Sequence, residues 1–379
     1  MKQYKFSDIA YNITDKKMPV SGDEKLYVGL EHLDSNSLQV SRWGSKTELK
    51  GQKLLMKKGD ILFGRRNTYL RRAAIAPHDG IFSAHGMIFR PKADVIDSDF
   101  FPFFIASDYF MDEAIRISVG SLSPTVNWGT LKKLMFSLPE IEEQKQYAKL
   151  LWAFERTKEA YKRLITVTDD LVKSQFCERF ILGDRYPLVR LDMVSDVSSG
   201  LTKNPKRPTF ENKMPYLRVA NVFFDCIDLT DIQTIGIQQG EIEKTMLKKG
   251  DVLFVEGNGS PDQIGRVAVW EGQSEPMLHQ NHIIKARPDK SKVLSKYCMY
   301  YFMTQEGRNQ ILSNAKTTSG LFTLSLSKIS GFVFPLAPLE EQQQFLRIVN
   351  QSDKSKFAAR QALKEITDAQ KALMKKIFE

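Results

Sequence analysis

The chain carries one plan twice, and that duplication constrains its fold more than any other feature. The run Leu55-Met56-Lys57-Lys58-Gly59-Asp60-Ile61-Leu62-Phe63 returns as Met246-Leu247-Lys248-Lys249-Gly250-Asp251-Val252-Leu253-Phe254. Further along, the segment from His85 to Arg90-Pro91 returns as His282 to Arg287-Pro288, and Ile141-Glu142-Glu143-Gln144 returns as Leu339-Glu340-Glu341-Gln342. Self-similarity kept in one order marks repeated structural units, so two equivalent modules are expected.

Within each copy, short alternating apolar runs punctuated by Gly and Pro come first, and a segment with helical period and almost no Gly or Pro follows. This pattern predicts an α+β fold in which each β-rich module is trailed by a long helix. Strands are expected at 25–30, 60–63, 73–76 and 87–89 in the first copy, and at 215–219, 251–255, 266–270 and 282–286 in the second. The helices should open just after Leu138-Pro139 and Leu336-Ala337-Pro338, because proline suits a helix entry and the Glu-Glu pair suits the positive end of a helix dipole. Four segments result: a module at 1–139, a helix at 140–182, a module at 183–337 and a helix at 338–379.

In the first helix Tyr147, Leu150, Phe154, Tyr161, Leu164 and Leu171, with Thr157 and Thr168 between them, recur by threes and fours as an a/d seam does. The corresponding positions of the second helix, Phe345, Ile348, Ala359, Ala362, Ile366 and Leu373 with Ser352 and Ser355, are smaller in the middle and suited to receive the larger set. The two helices are therefore expected to pair as an antiparallel coiled coil within one chain, each roughly 60 Å long for about 40 residues. The alternative is that each helix packs only on its own module.

A chain of 379 residues, 42% of them hydrophobic, can bury two cores, and its formal charge of +10 points to an anionic partner without choosing among nucleic acid, membrane surface and acidic protein. Cys177, Cys226 and Cys298 lie far apart and form no Cys-x-x-Cys pair, so neither a disulfide framework nor a thiolate metal cluster is expected. The opening segment Met1 to Lys17 lacks the apolar run of a signal peptide, and no later stretch has the length to span a bilayer, so a cytoplasmic location is expected.

Two modules, each trailed by a long helix that opens with proline and an acidic-acidic-glutamine signature, resemble the specificity subunit of type I restriction-modification enzymes. The resemblance covers the whole chain and rests on Lys57 to Phe63 with its repeat, and on Leu138 to Gln144 with Pro335 to Gln342. It implies that the modules are pseudo-symmetric target recognition domains and that the helices form a spacer on which modification (methyltransferase) subunits, two of them, dock. It further implies a bipartite, asymmetric double-stranded DNA target with a fixed unread gap, its half-sites roughly 35 Å or one helical turn apart. Restriction subunits would join through the methyltransferase core. This chain would bind no cofactor and no metal, whereas its partners would use S-adenosylmethionine, ATP and Mg2+.

The richest candidate for DNA contact is the loop after the first Gly-Asp strand, with Arg65, Arg66, Asn67, Tyr69, Arg71 and Arg72. Arginine pairs bidentately with guanine, asparagine with adenine, and tyrosine can stack or bind phosphate; the alternative is a solvated basic loop. The equivalent segment of the second copy holds Glu256, Asn258, Ser260 and Gln263 and is quite different, as expected of two readers of different sequences on one framework. Its Gly257-x-Gly259 is not a phosphate loop, since neither a third glycine nor Gly-Lys-Ser/Thr follows. Lesser candidates are Gln280 and Asn281, the cations Lys203, Lys206 and Arg207, and the polar turns at Ser121 and Ser123 and at Thr317, Thr318 and Ser319. The cation run reads more often as a solvated face. His85 and His282, in the segments Ser83 to His85 and His279 to His282, are lesser candidates as well, and read more readily as framework residues hydrogen-bonded within their modules.

No Asn/Asp-Pro-Pro-Tyr/Phe tetrapeptide of adenine methyltransferases, no His-Glu-x-x-His and no complete nuclease carboxylate motif occurs, so a non-catalytic chain is expected. The rival readings are an enzyme whose site is assembled only in the fold, a coiled-coil scaffold without DNA readout, and the specificity subunit of a methylation-only system.

Overall fold

The computed structural model describes residues 1–318 and 320–378 and divides into two compact units, Met1–Lys162 with Arg360–Glu379, and Arg163–Ala359. In the first unit an antiparallel sheet runs in the order Ala10–Ile13, Met87–Pro91, Ile61–Phe63, Ala73–Ile75. The second unit repeats that order with Ser195–Ser199, Ile283–Pro288, Val252–Val255 and Val267–Val269. Side chains alternate across a strand, and here both faces are covered. Ile61 and Phe63 point into a core shared with Phe6, Phe104 and Phe110, while Leu62 points into a second core with Val28, Leu54 and Phe82. Phe254 and Leu253 divide in the same way. Burial on both faces is why these strands read as continuous apolar runs rather than as polar-apolar alternation.

The duplicated Gly-Asp pair is a bracket at the head of that strand. Gly59 and Gly250 turn the chain with φ of 90° and 97°, a region that only glycine enters without strain. The aspartate that follows is buried. Asp60 accepts from the Lys57 amide at 2.8 Å and from Arg90 Nε and Nη2 at 2.8 and 2.9 Å. Asp251 accepts from the Lys248 amide at 2.7 Å and from Arg287 Nε and Nη2 at 2.7 and 2.8 Å. Two of the three repeated motifs, Gly-Asp and Arg-Pro, are thus the halves of one ion pair.

The third motif ties module to helix. The long helices span Ile141–Phe176 and Leu339–Phe378, and the glutamine in the first turn of each is fully buried. Gln144 accepts from the Asp97 amide at 2.8 Å and donates to the carbonyls of Pro139 and Val95 at 2.8 and 3.3 Å. Gln342 accepts from the Leu294 amide at 2.8 Å and donates to Ala337 and Lys292 at 2.8 and 3.0 Å. Each such bond contributes about 1 kcal/mol net.

Inside each unit the two helices run antiparallel. In the first, Ala148 and Leu151 at the start of one share a core with Leu373 and Ile377 at the end of the other, and Phe378 stacks on Tyr109 at 5.2 Å. In the second, Phe176 packs edge-on against Phe345 at 5.2 Å, with Val172 and Val349 in the same core. Among the described residues, no helix is long and apolar enough to cross a membrane.

Two expectations change. Residues 23–26 form a helical turn, leaving Tyr27–Val28 alone of the expected 25–30 strand, because Asp23 accepts from the Val20 amide and winds the chain after Gly22. The seam of the first helix is displaced by one residue. Leu150, Leu164 and Leu171 are 47%, 49% and 53% exposed, and the inward positions are Ala148, Leu151, Glu155, Lys158, Asp169, Val172 and Phe176. On the second helix Phe345, Ser352, Ala359 and Leu373 keep their places, but Val349 and Lys356 replace Ile348 and Ser355. Phe154, Tyr161, Ala362 and Ile366 are half-buried, and Tyr147 and Leu373 flank the first core. Polar pairs select this register. Lys158 donates to Gln370 at 2.7 Å and Gln370 to Glu155 at 2.9 Å in the first unit, whereas Lys356, 5% exposed, meets Asp169 at 2.7 Å and Asp353 at 3.1 Å in the second. An apolar a/d count cannot see such pairs, although they strongly favour one register once both partners lose water.

Candidate nucleic-acid interface

In the first unit the arginine loop is built against a distant hairpin. Gly64 N donates to Arg72 O at 2.8 Å to close the loop, and Asn67 stands at φ 51° with its amide on Pro124 O at 2.8 Å. Val126 N donates to Arg65 O at 3.0 Å, and Arg66 bridges Thr125. Val119 and Thr125 exchange both backbone hydrogen bonds, at 3.1 and 2.9 Å, and so close the turn that carries Ser121 and Ser123. The loop and the turn, far apart in sequence, are thereby joined by backbone contacts.

The arginines of that loop divide into two pairs. Arg71 is engaged by Asp108 at 2.7 Å and by Asp112, and Arg72 donates to Leu30 O at 2.9 Å while burial lowers its pKa. These two are braces inside the module rather than free cations. Arg65 and Arg66 form no ion pair among the described residues; Arg65 Nε has no hydrogen-bond partner, and Arg66 Nη1 lies 3.5 Å from His85 Nδ1. Tyr69 is 57% exposed beside them.

The second unit repeats the construction with other residues. Gly257 and Asn258 pair with Thr323 and Phe322, and Thr317 pairs with Phe322 from the far side, so the loop and the second hairpin share a three-stranded sheet. Asn258 Oδ1 accepts from Ser260 N at 2.9 Å, Ser260 O accepts from Gln263 N at 3.1 Å, and Arg308 holds the loop from beneath through Ile264 O at 2.6 Å. Glu256 meets His282 Nδ1 at 3.0 Å. Gln280 and Asn281, half-buried, lead into His282. Thr318 is placed on the hairpin only by its backbone, and Ser319 lies outside the described residues.

The two repeated histidines combine a framework contact with exposure. His85 and His282 are hydrogen-bonded in their modules, as a framework role requires, but both are exposed and touch the loop itself. The repeat contained the signal, since each lies two residues before or one residue before the strand that flanks the loop strand. Arg207 is the converse. It is 6% exposed and held bidentately by Glu241 at 2.8 and 2.8 Å and by Thr202 O and Gly236 O, so it fastens the segment that exposes Lys203 and Lys206. That segment joins the Gln280 region through Asn281 N to Leu201 O at 2.9 Å. No group of three or more His, Cys, Asp or Glu among the described residues is arranged to hold a metal ion.

His279, beside this surface, is buried and donates Nδ1–H to Thr245 O at 2.8 Å, while Nε2 has no partner. Burial, with Lys285 nearby, holds its pKa down to about 4 against 6.5 for the free side chain. The fold keeps it neutral where the unfolded chain takes a proton, so its contribution is whole above about pH 6.5 and is lost as pH falls toward 4, by about 3 kcal/mol in all. Thermal unfolding of the second unit followed from pH 7 to 4.5 should steepen accordingly, and His279→Gln should flatten it; an unchanged slope in the variant would refute this assignment.

The type I restriction modification DNA specificity domain matches the chain twice, over residues 4–167 and 185–367. The chain is 24% identical over 324 residues to the EcoKI specificity subunit of Escherichia coli (strain K12), covering 80% of this chain and 69% of that one. It is 29% identical over 188 residues to the type I MjaX specificity subunit of Methanocaldococcus jannaschii, a match that spans 49% of this chain and only 44% of the relative's length. Among solved structures, a chain from a study of complex assembly and conformational transition of the type I R-M system superposes with a TM-score of 0.59 at 18% identity, covering 100% of this chain and 97% of that one. The type I restriction-modification S subunit of M. genitalium follows at 0.51 and 14%, covering 100% and 96%. At these identities the likeness is one of fold.

Proposed function

Since the chain belongs to the type I restriction modification DNA specificity family, we propose that its two modules read the two halves of a bipartite, asymmetric DNA target for partner subunits that carry out the chemistry. The observation that carries this is the pairing of a shared framework with unlike loops. Both modules keep the Gly-Asp turn, the Arg bracket, the glutamine tie and the backbone pairing of loop with hairpin, through isolated bridges in the first and a three-stranded sheet in the second. Where the first presents Arg65, Arg66, Asn67 and Tyr69, the second presents Glu256, Asn258, Ser260 and Gln263. Guanidinium forks and amides are the groups that discriminate guanine and adenine in the major groove.

Recruitment of partners is supported by an apolar face that the intramolecular pairing leaves in water. In the second unit Leu164, Val167 and Leu171 follow one another by three and four on the outside of the first helix, 49%, 54% and 53% exposed. A helix of a methyltransferase subunit, itself apolar at that spacing, suits this stripe. In this reading S-adenosylmethionine, ATP and Mg2+ are used by the partners and none is bound by this chain.

The test is to reconstitute the chain with its methyltransferase partner and map methylated adenines across a plasmid. A gapped motif is expected, and Asn258→Ala with Gln263→Ala should relax one half while leaving the other intact. Methylation without a gapped motif, or a motif indifferent to exchange of residues 1–139 for another module, would leave the scaffold reading ahead.

A further inference from the structure

The hairpin beside the arginine loop ends in an apolar side chain with no role inside the module. Leu122 is 97% exposed, and Val119 at the stem is 64% exposed. Its neighbours, Gly120, Ser121 and Ser123, are all small, and Gly120 turns the chain at φ 115°, so the leucine stands alone on a narrow tip. A single exposed leucine is common on protein surfaces and means little by itself. Here its base is rigid. The stem is closed by two backbone hydrogen bonds, crossed by Arg66 at Thr125, held at Pro124 by the Asn67 amide, and anchored by Val126, which is 0% exposed. The same backbone contacts join it to Arg65 and Arg66, the loop's cations that form no ion pair among the described residues. The hairpin of the second module differs at this point: Gly320 turns at φ 79°, and Leu321, paired with Thr318 in its strand, is 45% exposed.

From this juxtaposition of an unsupported leucine tip, small hydroxylated flanks and a braced basic loop, we infer that Leu122 is a wedge that enters the base stack at one step beside the first half-site. The inference rests on the DNA-reading role proposed above. Apolar wedges on rigid supports part adjacent base pairs and kink the duplex, with flanking cations and hydroxyls holding the phosphates on either side. Such a contact makes no hydrogen bond to a base. It selects sequence through the ease of unstacking, and so favours a flexible pyrimidine-purine step at that position. A contact with a thymine methyl group is the alternative that the test separates.

The experiment uses the full chain in complex with its methyltransferase partner, and a duplex of about 30 base pairs carrying the mapped motif with 2-aminopurine placed at successive steps. The wild-type complex should brighten the probe at one step. Leu122→Ser, a change at a solvent-exposed tip, should abolish that signal and weaken binding about tenfold, and a mismatch placed at the same step should restore most of the affinity. Sequence-specific wild-type binding with no bright step overturns the wedge while leaving the DNA-reading role intact. So does a loss of affinity that replacing thymine by uracil reproduces and a mismatch does not rescue. Absence of any sequence-dependent binding overturns both.

Discussion

Asp251→Ala is expected to lower the stability of the second unit by about 3–5 kcal/mol, because removing one partner of a buried pair leaves the other charge without compensation. The Asp251 side chain is 1% exposed and that of Arg287 28%. The substitution also orphans the Lys248 amide and so releases the turn that aims the central strand. Strand Val252–Val255 is hydrogen-bonded on both sides and buried on both faces, so the loss cannot be absorbed by a local shift. Asp60→Ala should act in the same direction but more weakly on the first unit, where the Asp60 side chain is 4% exposed but its partner Arg90 is 39% exposed and keeps part of its hydration. Hydrogen exchange distinguishes the two. Amides of 252–255 should lose protection in the first variant while those of 61–63 keep it, and the reverse should hold for the second. A loss below about 1 kcal/mol, or equal exchange in both units, would show that the bracket is not what holds the strand.

The double variant Arg65→Ala with Arg66→Ala should reduce DNA affinity by roughly tenfold to a hundredfold. It should also flatten the dependence of log K on log salt by about two units, since each phosphate neutralised contributes about 0.9 to that slope. If either arginine instead pairs with guanine, the loss is concentrated on one base position, at about 1–3 kcal/mol per bidentate contact. Arg71→Ala serves as the contrast. Its guanidinium is engaged by Asp108 and Asp112, so the variant should shift thermal unfolding of the first unit and leave the salt slope near its wild-type value. Binding measured by fluorescence anisotropy between 50 and 300 mM salt decides the matter. An unchanged slope in the double variant, or a slope lost in Arg71→Ala, would reverse the assignment of free and braced cations.

Much of the architecture was legible in the residues. The run Gly59-Asp60-Ile61-Leu62-Phe63 and its copy carry a turn, a buried carboxylate and a two-faced strand in consecutive positions. The helix openings at Glu142-Glu143-Gln144 and Glu340-Glu341-Gln342 are equally local. The site was legible only in pieces. The loop, the hairpin turns and the histidines each stand out by residue type, but nothing in their spacing says that Arg66 and Thr125, or Asn258 and Phe322, are neighbours. Along the sequence Arg207 stands with Lys203 and Lys206 as a run of cations, whereas Glu241, distant in sequence, withdraws it from the surface.

By itself, then, the sequence determined that there are two modules of one plan, where their turns and helices begin, and that the loops have diverged while the frame has not. These follow from backbone torsions, caps and period-two or period-three-to-four patterns, all of which act within a few residues. The tertiary structure alone decided which face of each helix is inside and which arginines are free. In both cases the deciding partners are polar and far apart along the chain. Lys158 with Gln370 and Lys356 with Asp169 gain from their pairing because the fold has taken Lys158, Gln370 and Lys356 out of water. Arg71 and Asp108, in contrast, meet only because the fold brings their segments together, Asp108 itself staying exposed.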